Sequence, residues 1–382
     1  MQLQSTATIV VALLVTLAIP IAMIAVWNRL SSSRWLRGTV RLGLLVTSQL
    51  LAVLLAALVV NDHYDFYTSW SELFGTASLT TTTGSVSQPS IDQTHRTKLL
   101  ADYHAGRGTV VPLSIPGVVS GVPARPAFVY LPAQYGNPST RNVRYPVLEL
   151  LPGVPGNPGT WTHALNVAST LDTMINARES LPFIAVIPTD NVLYGRDLEC
   201  LNVVNGGPQV DTYLTTDVQN AVEHAVRAST ASSAWGLMGI SAGGYCAMNL
   251  AMRHPNRYTA AVSLSGYTHP SVGSTNAGSL LGDSTVRYDE NSPSWEARHW
   301  THGAMSILAI SSRQDGPSFR STIQLLHLPR RPGLTVDTVL LASGGHNTQV
   351  WSELEPVAFN WLSRHLTAPL ADVRVTSGLT AP

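Results

Sequence analysis

The chain has 382 residues, of which only 12% are charged, about half of the roughly 25% that is usual in soluble domains. With 45% hydrophobic residues, this composition excludes a disordered chain or a coiled coil. The 23 basic and 23 acidic residues cancel, so no overall positive field exists to attract nucleic acid. We therefore expect no nucleic-acid partner.

Two apolar runs near the N-terminus predict a transmembrane hairpin, with spans at about 8–27 and 42–60. Neither run contains an ionisable side chain, and each is long enough to cross about 30 Å of hydrocarbon as a helix. Four arginines lie between the runs, whereas no Lys or Arg precedes the first run. By the positive-inside rule the connecting segment is cytoplasmic. The rest of the chain is then predicted on the extracytoplasmic face of the cell membrane.

A cleaved signal peptide is the competing interpretation of the first run, although no basic segment precedes it and a second run follows it. Two buried core helices fit less well, because neither run has a polar face. Residues 1–62 are therefore assigned to a hairpin in contact with the lipid bilayer. Tyr64, Tyr67 and Trp70 are expected at the membrane interface or on a short amphipathic helix.

Residues 63–96 are predicted as a juxtamembrane segment and a Thr/Ser-rich linker, and 367–382 as a flexible tail. Between them, short β-rich runs alternate with helical stretches. This alternation predicts one α/β domain at 97–366, with a mostly parallel sheet flanked by helices. The predicted strands are Val110–Ile115, Ala127–Leu131, Val147–Leu151, Phe183–Ile187, Ala234–Met238, Ala260–Leu264, Ile307–Ser311 and Val336–Leu341, and the predicted helices are Asp217–Arg227, Ala242–Arg253, Phe319–Leu326 and Trp351–His365.

A G-x-S-x-G pattern at 239–243 stands where an apolar strand passes into a predicted helix. In that context the small residues permit a tight turn that lifts the serine hydroxyl off the strand end. Ser241 is therefore the candidate nucleophile, and a Gly-rich structural turn is the alternative. A serine hydroxyl needs a base to take its proton and a carboxylate to orient that base.

His346 is the candidate base, because it lies in a Gly-rich loop directly after a predicted strand and before a helix, and a structural loop histidine is the alternative. Asp315 is the candidate acid, since it follows the preceding strand, and a turn aspartate before Gly316 is the alternative. Four other carboxylates compete for this role, although none directly follows a strand: Asp283, Asp289, Glu290 and Glu296. The chain order Ser, Asp, His is the one expected for this kind of turn.

Acyl transfer also requires donors for the negative oxygen that develops on the substrate. One is expected to be the backbone N–H of Ala242, the residue after the nucleophile. The other is expected from the loop after the strand 147–151, where Val154 is the candidate because Pro155 has no N–H.

Several motifs in succession resemble the antigen 85 mycolyltransferase and esterase D group of α/β-hydrolases. They are the Leu-Leu-Pro-Gly-Val loop at 150–154, Asp211 to Asp217 before a helix, the serine turn, Ala261 to Gly266, and Gly344-Gly-His346-Asn. The resemblance covers about 110–366. It implies an α/β-hydrolase fold and an extracellular serine esterase or acyltransferase that uses an acyl-enzyme and needs no metal or organic cofactor.

The chain departs from mycolyltransferases at Pro152 and Pro155, where that family has an acidic and a basic sugar contact, so trehalose is not expected as acceptor. Their acid is a glutamate farther along, so the assignment of Asp315 follows the wider esterase pattern. Cys200 and Cys246 would tie a long loop to the helix after Ser241 if they are bonded, and two buried thiols are the alternative.

The pattern therefore predicts a membrane-anchored serine esterase or acyltransferase acting on a lipid or acyl-sugar type of ester, with water or an alcohol as acceptor. Hydrolysis and transfer share the acyl-enzyme, so the sequence leaves both open. A noncatalytic envelope-binding or scaffolding protein on the same fold is the alternative.

Overall fold

The computed structural model describes residues 6–26, 34–64, 91–193, 196–270 and 277–371. The chain divides into two compact units, residues 1–79 and 80–382.

The N-terminal unit contains two long, largely apolar helices, α1 (Thr6–Val26) and α2 (Arg34–Tyr64). Within them Ala7–Ala25 and Gly38–Asn61 are long and apolar enough to cross a membrane, and most of their side chains are exposed. The second helix begins at Arg34 rather than near 42, so the helix extends beyond the apolar run into a segment that carries three arginines. Tyr64 ends α2, and Tyr67 and Trp70 lie outside the described residues.

An eight-stranded sheet forms the centre of the second unit. Its strands are β1 (Thr109–Ile115), β2 (Arg125–Leu131), β4 (Val147–Leu151), β5 (Ile184–Pro188), β6 (Trp235–Ile240), β7 (Ala260–Leu264), β8 (Met305–Ser312) and β9 (Leu334–Leu341). Their order across the sheet is β1-β2-β5-β4-β6-β7-β8-β9. Strands β1 and β2 form an antiparallel hairpin at one edge, and the six strands from β5 to β9 in this order are parallel. The predicted α/β-hydrolase fold, with a mostly parallel sheet and flanking helices, is confirmed.

Helices cover both faces of this sheet and enclose two hydrophobic clusters. Successive residues of β6 alternate between the clusters, Leu237 in one and Met238 in the other, as the two-residue period of a strand requires. The helices are α3 (Ile91–Thr94), α4 (Arg96–His104), α5 (Val167–Asn176), α6 (Val210–Thr212), α7 (Gln219–Ala225), α8 (Ala242–Arg253), α9 (Ala277–Leu281), α10 (Thr285–Glu290), α11 (Pro293–His299), α12 (Gly316–Leu326) and α13 (Thr348–His365).

A short second sheet pairs β3 (Val143–Arg144) with β10 (Leu370–Ala371), within the segment predicted as a flexible tail. Backbone hydrogen bonds to β3 fix these two residues, which no sequence pattern indicated. At the other end of the unit, Ile91 is buried in the larger cluster, upstream of the predicted domain start at 97.

The strand order reverses its direction between β4 and β6, because the chain moves from β4 to β5 on one side and then to β6 on the other. In open α/β sheets such a switch point leaves a crevice at the carboxyl ends of the strands, where ligands bind. The loops after β4 and β6, which carry Gly153 and Ser241, flank this crevice.

Candidate active site

Ser241 occupies a strained turn between β6 and α8, with φ 54° and ψ −122°. A non-glycine residue in this region is uncommon and costs free energy of order 1–3 kcal/mol, so the surrounding structure must enforce it. The neighbouring glycines allow the close packing, because a Cβ on Gly239 would lie 2.0 Å from the Gly243 carbonyl oxygen. A Cβ on Gly243 would lie 2.3 Å from the Leu151 carbonyl oxygen. The turn thus presents the serine hydroxyl at the carboxyl edge of the sheet.

His346 lies between Ser241 and Asp315. Its Nε2 is 2.8 Å from Ser241 Oγ, and its Nδ1 is 2.8 Å from Asp315 Oδ2. The three side chains come from the loops after β6, β8 and β9, whose carboxyl ends lie at one edge of the sheet. This is the geometry of a nucleophile, a base and an orienting acid.

Asp315 is only 5% exposed and is held by several donors. Burial alone would raise the pKa of its carboxyl group, but the hydrogen bond and charge of His346, together with the hydroxyls of Ser265 and Ser318, lower it below the ordinary value. The acid is consequently ionised at neutral pH and can stabilise a proton on the imidazole. Among the described residues it is the one carboxylate within hydrogen-bonding distance of His346, and the four rival carboxylates in the segment 277–299 do not reach the ring.

Two residues outside the predicted set brace this arrangement. Trp351 donates its indole N–H to Ser265 Oγ at 3.1 Å, and its ring meets that of His346 edge-on at 5.0 Å. Gln314 accepts a hydrogen bond from Gly344 N–H at 2.9 Å, which fixes the histidine loop. Among the bracing side chains, only that of Ser265 belongs to a motif named in the sequence, the one that ends at Gly266. The contacts of Trp351 and Gln314 depend on packing between β7, α13 and two loops.

The loop after β4 packs directly against the serine. A Cβ on Gly153 would lie 3.0 Å from Ser241 Cβ and 3.0 Å from the Ile240 carbonyl oxygen, so a larger residue there would require the serine turn to shift by a few tenths of an ångström. Val154 follows in this loop, and Ala242 is the first residue of α8, where backbone N–H groups have no acceptor within the helix. Among the described residues neither of these two N–H groups has a hydrogen-bond acceptor.

A disulfide joins Cys200 to Cys246, with a Cα–Cα distance of 5.8 Å. It connects the loop after β5 to the helix that begins at Ala242. The same loop is held by a hydrogen bond from Asn191 Nδ2 to the Gly156 carbonyl oxygen, 3.1 Å, and by one from Tyr267 to Glu199, 2.8 Å. One wall of the crevice is thereby attached to the serine helix.

The aspartates of the 211–217 motif have structural contacts rather than contacts in the crevice. Asp211 forms an ion pair with Arg253 and a hydrogen bond of 2.7 Å with His254 Nε2, at the far end of α8. Asp217 accepts hydrogen bonds from the backbone N–H groups of Val119 and Ser120, at 2.8 and 3.0 Å. These carboxylates fasten the serine helix and the β1–β2 turn.

Comparison with known proteins gives the chemistry of this fold. The Esterase family matches residues 124–368, more than half of the chain. The chain belongs to the Esterase family. The protein is accordingly a carboxylic ester hydrolase, as predicted, whereas the antigen 85 part of the resemblance stays a likeness between motifs.

The relatives of this esterase include proteins of known structure and one of unassigned function. An uncharacterized protein of Corynebacterium glutamicum is 26% identical over 334 residues, which cover 84% of this chain and 76% of that protein. An S-formylglutathione hydrolase from Agrobacterium tumefaciens is 12% identical with a TM-score of 0.56, covering 68% of this chain and 96% of that one. A ferulic acid esterase is 18% identical with a TM-score of 0.53, covering 68% and 98%. At these identities the structural likeness shows the shared fold alone.

Proposed function

We propose that this esterase is a membrane-anchored, extracytoplasmic serine esterase or acyltransferase that forms an acyl-enzyme on Ser241. The observation that carries the proposal is the position of His346, which is 2.8 Å from both Ser241 Oγ and Asp315 Oδ2. A histidine so placed can take the serine proton while the aspartate holds its ring in the required tautomer.

In the first half of the reaction, Ser241 Oγ attacks the ester carbonyl carbon as its proton passes to His346 Nε2. The N–H groups of Val154 and Ala242 donate hydrogen bonds to the resulting oxyanion. The ester C–O bond then breaks, the imidazolium gives its proton to the departing alcohol, and the acyl group stays on Ser241. In the second half, water or an acceptor alcohol attacks with His346 again as base, releasing an acid or a new ester.

Labelling with an active-site fluorophosphonate tests this assignment. We expect the full chain in membranes to be labelled and Ser241→Ala to be unlabelled, because the probe phosphonylates only an activated serine. Ser263→Ala supplies the matched control, since this buried serine lies in β7 outside the proposed triad and labelling should persist. Labelling of Ser241→Ala would contradict the assignment, and a lack of labelling and ester turnover in the parent would favour the noncatalytic alternative.

The substrate we propose is an ester with an apolar acyl part, of the lipid or acyl-sugar type. Large apolar side chains that are exposed at the carboxyl edge of the sheet, the edge that carries Ser241, support this proposal. Val118 and Val119, 82% and 60% exposed, lie in the β1–β2 turn, which is at the carboxyl edge since Ala127 at the start of β2 pairs with Pro188 at the end of β5. Asp217 holds this turn rigidly, so the valines form a fixed surface.

A series of p-nitrophenyl esters of increasing acyl length tests this substrate class. We expect kcat/KM to rise with chain length, by about fourfold per pair of added methylenes that become half-buried. The double variant Val118→Ser/Val119→Ser should flatten this dependence, whereas Val357→Ser on α13, another exposed valine, should not. A chain-length dependence that is absent, or unchanged in the double variant, would contradict a substrate contact by these two valines.

Anchoring by α1 and α2 is supported by the length and apolarity of Ala7–Ala25 and Gly38–Asn61 and by the arginines between them. The Cys200–Cys246 bond supports an extracytoplasmic catalytic unit, because disulfides persist in oxidising compartments. Alkaline phosphatase, active only outside the cytoplasm, tests the orientation. We expect activity when it is fused after residue 80 and none when it is fused after residue 31. The opposite pattern, or release of the chain by carbonate washing, would contradict the proposed anchor.

A further inference from the structure

A second concave site lies at the amino edge of the sheet, the edge opposite to Ser241. It is a half-open cavity of about 470 Å³ between α4 and the turn that follows β2. Because β2 runs antiparallel to β5, the residues after Leu131 leave the sheet at its amino edge. We call this cavity the arginine pocket and define it by Arg96, Arg141, Arg227, Leu99 and Tyr135.

The arginine pocket concentrates positive charge in a chain whose total charge is zero. Three of its ten lining residues are arginines, and none of the ten is acidic. Arg96 and Arg141 are exposed, and within the described part of the chain neither guanidinium has a hydrogen-bond or ion-pair partner. Their donors therefore remain available to a ligand.

The third arginine is already fixed in the floor of the pocket. Arg227 lies over the ring of Tyr135, with its guanidinium carbon 3.8 Å from the ring centroid, and donates to the Thr140 carbonyl oxygen at 2.6 Å. Both of these contacts are with uncharged groups. A partly buried charge of this kind is less screened by solvent than a fully exposed one.

The two walls of the pocket are held together before any ligand binds. A Cβ on Gly136 would lie 2.0 Å from the Leu99 carbonyl oxygen, so α4 and the turn are in direct backbone contact. Tyr145 donates to the Gln134 carbonyl oxygen at 3.0 Å and braces the turn from behind. Leu99 and Leu100 add apolar surface beside the arginines. A preformed pocket of this kind loses little entropy when it binds a ligand.

We propose that the arginine pocket binds a phosphate group, carried by an acidic lipid or present as the free anion. Guanidinium groups suit phosphate because their paired N–H donors match its oxygens, and two of the three here have free donors. The apolar side chains beside them would contact the glycerol and acyl parts of a lipid. The site is separate from the proposed catalytic residues, so the inference does not depend on the ester chemistry.

Titration calorimetry on the full chain in an uncharged detergent tests the proposal, with three probes at low salt. The probes are dihexanoyl phosphatidylglycerol, dihexanoyl phosphatidylcholine and inorganic phosphate. We expect the acidic lipid or inorganic phosphate to bind at least about tenfold more tightly than the phosphatidylcholine, and binding to weaken as salt is raised. Binding of phosphatidylglycerol but not of inorganic phosphate identifies a lipid headgroup, and equal affinity for both identifies the free anion.

Substitutions locate the binding. Arg141→Gln should weaken binding about fivefold, and Arg96→Gln/Arg141→Gln about 20-fold, since each removes one charge-assisted contact. Arg330→Gln changes another exposed arginine away from the pocket and should leave the affinity unchanged. The melting temperature of each variant should match that of the parent, because the guanidinium groups of Arg96 and Arg141 have no hydrogen-bond or ion-pair partner among the described residues. Equal affinity for the acidic and zwitterionic lipids with no phosphate binding, or equal weakening by Arg330→Gln, would overturn the proposal.

Discussion

Replacement of Asp315 by asparagine isolates the role of the acid with little change in shape. Asp315 accepts a hydrogen bond from His346 Nδ1 at 2.8 Å, which keeps the imidazole proton on that nitrogen and leaves Nε2 free to accept from Ser241. In Asp315→Asn the amide can donate to Nδ1 instead. The proton then moves to Nε2, where it faces the serine hydroxyl and blocks the proton transfer.

The burial of Asp315 indicates that the loss of kcat in this variant will be large. The residue is 5% exposed, so water cannot replace the lost acceptor, and the variant must keep the wrong tautomer or an unsatisfied buried group. A substitution of this kind in a serine triad lowers kcat roughly 10⁴-fold, which corresponds to about 5 kcal/mol at 1.36 kcal/mol per decade. We expect KM to change much less, because Asp315 does not face the crevice.

Steady-state hydrolysis of p-nitrophenyl butyrate measures the effect, with the fluorophosphonate labelling rate as an independent readout. Asp289→Asn is the matched control, since it makes the same change in a rival carboxylate on α10 and should keep kcat within twofold. A loss in Asp315→Asn of less than about tenfold, or a larger loss in Asp289→Asn, would refute the assignment of the acid. The melting temperatures of both variants separate this result from misfolding.

Three further changes test the surroundings of the site. Trp351→Phe removes the donor to Ser265 Oγ and should lower kcat about fivefold at unchanged KM, and an unaltered kcat would deny it a positioning role. Burial raises the pKa of Glu355 to about 8, above its unfolded value near 4.5, so the parent loses stability as the pH rises through this window. Because Glu355→Gln cannot ionise, its free energy of unfolding minus that of the parent should rise by roughly 4 kcal/mol from pH 5 to pH 9, and an equal difference at both pH values would contradict this. Gly243→Ala should prevent soluble expression, because its Cβ would lie 2.3 Å from a carbonyl oxygen, whereas Gly303→Ala, which meets open space, should express normally.

The pattern of apolar and turn residues along the chain was sufficient to predict the strands of the second unit. Short apolar runs between turn residues predicted all eight strands of the sheet to within three residues at each end, because buried parallel strands are apolar throughout. The serine turn was predictable for a local reason, since Gly239 and Gly243 are required by contacts that any strand-to-helix turn of this shape makes.

Several helices were missed for a physical reason as well. Helix α5 has no side-chain hydrogen bond at its N-cap residue, and the three helices α9 to α11 are only five to seven residues long, although α10 and α11 begin after a serine. Helices this short are marginal by themselves and form because the rest of the domain packs against them. The strand β10 depends in the same way on its distant partner β3.

Glu149 is a buried carboxyl group whose environment could not be predicted from the sequence. It lies in the middle of β4, fully buried, where burial raises its pKa to about 8 despite the hydrogen bond from Tyr258 at 2.8 Å. Its sequence neighbours are all apolar, so the pattern predicted a buried strand without indicating how one carboxyl group would be accommodated. The partner is 109 residues away, on another part of the chain.

The sequence by itself was sufficient to select Ser241, Asp315 and His346, in that chain order, as the candidate triad, because each stands after the end of a strand that its neighbours define. The tertiary structure alone decided that these three side chains meet at 2.8 Å, that Trp351 and Ser265 brace them, and that arginines from three separate segments line one pocket. The reason is that strand ends are set by contacts between near neighbours, whereas strand order and loop packing arise from contacts between residues far apart in the chain.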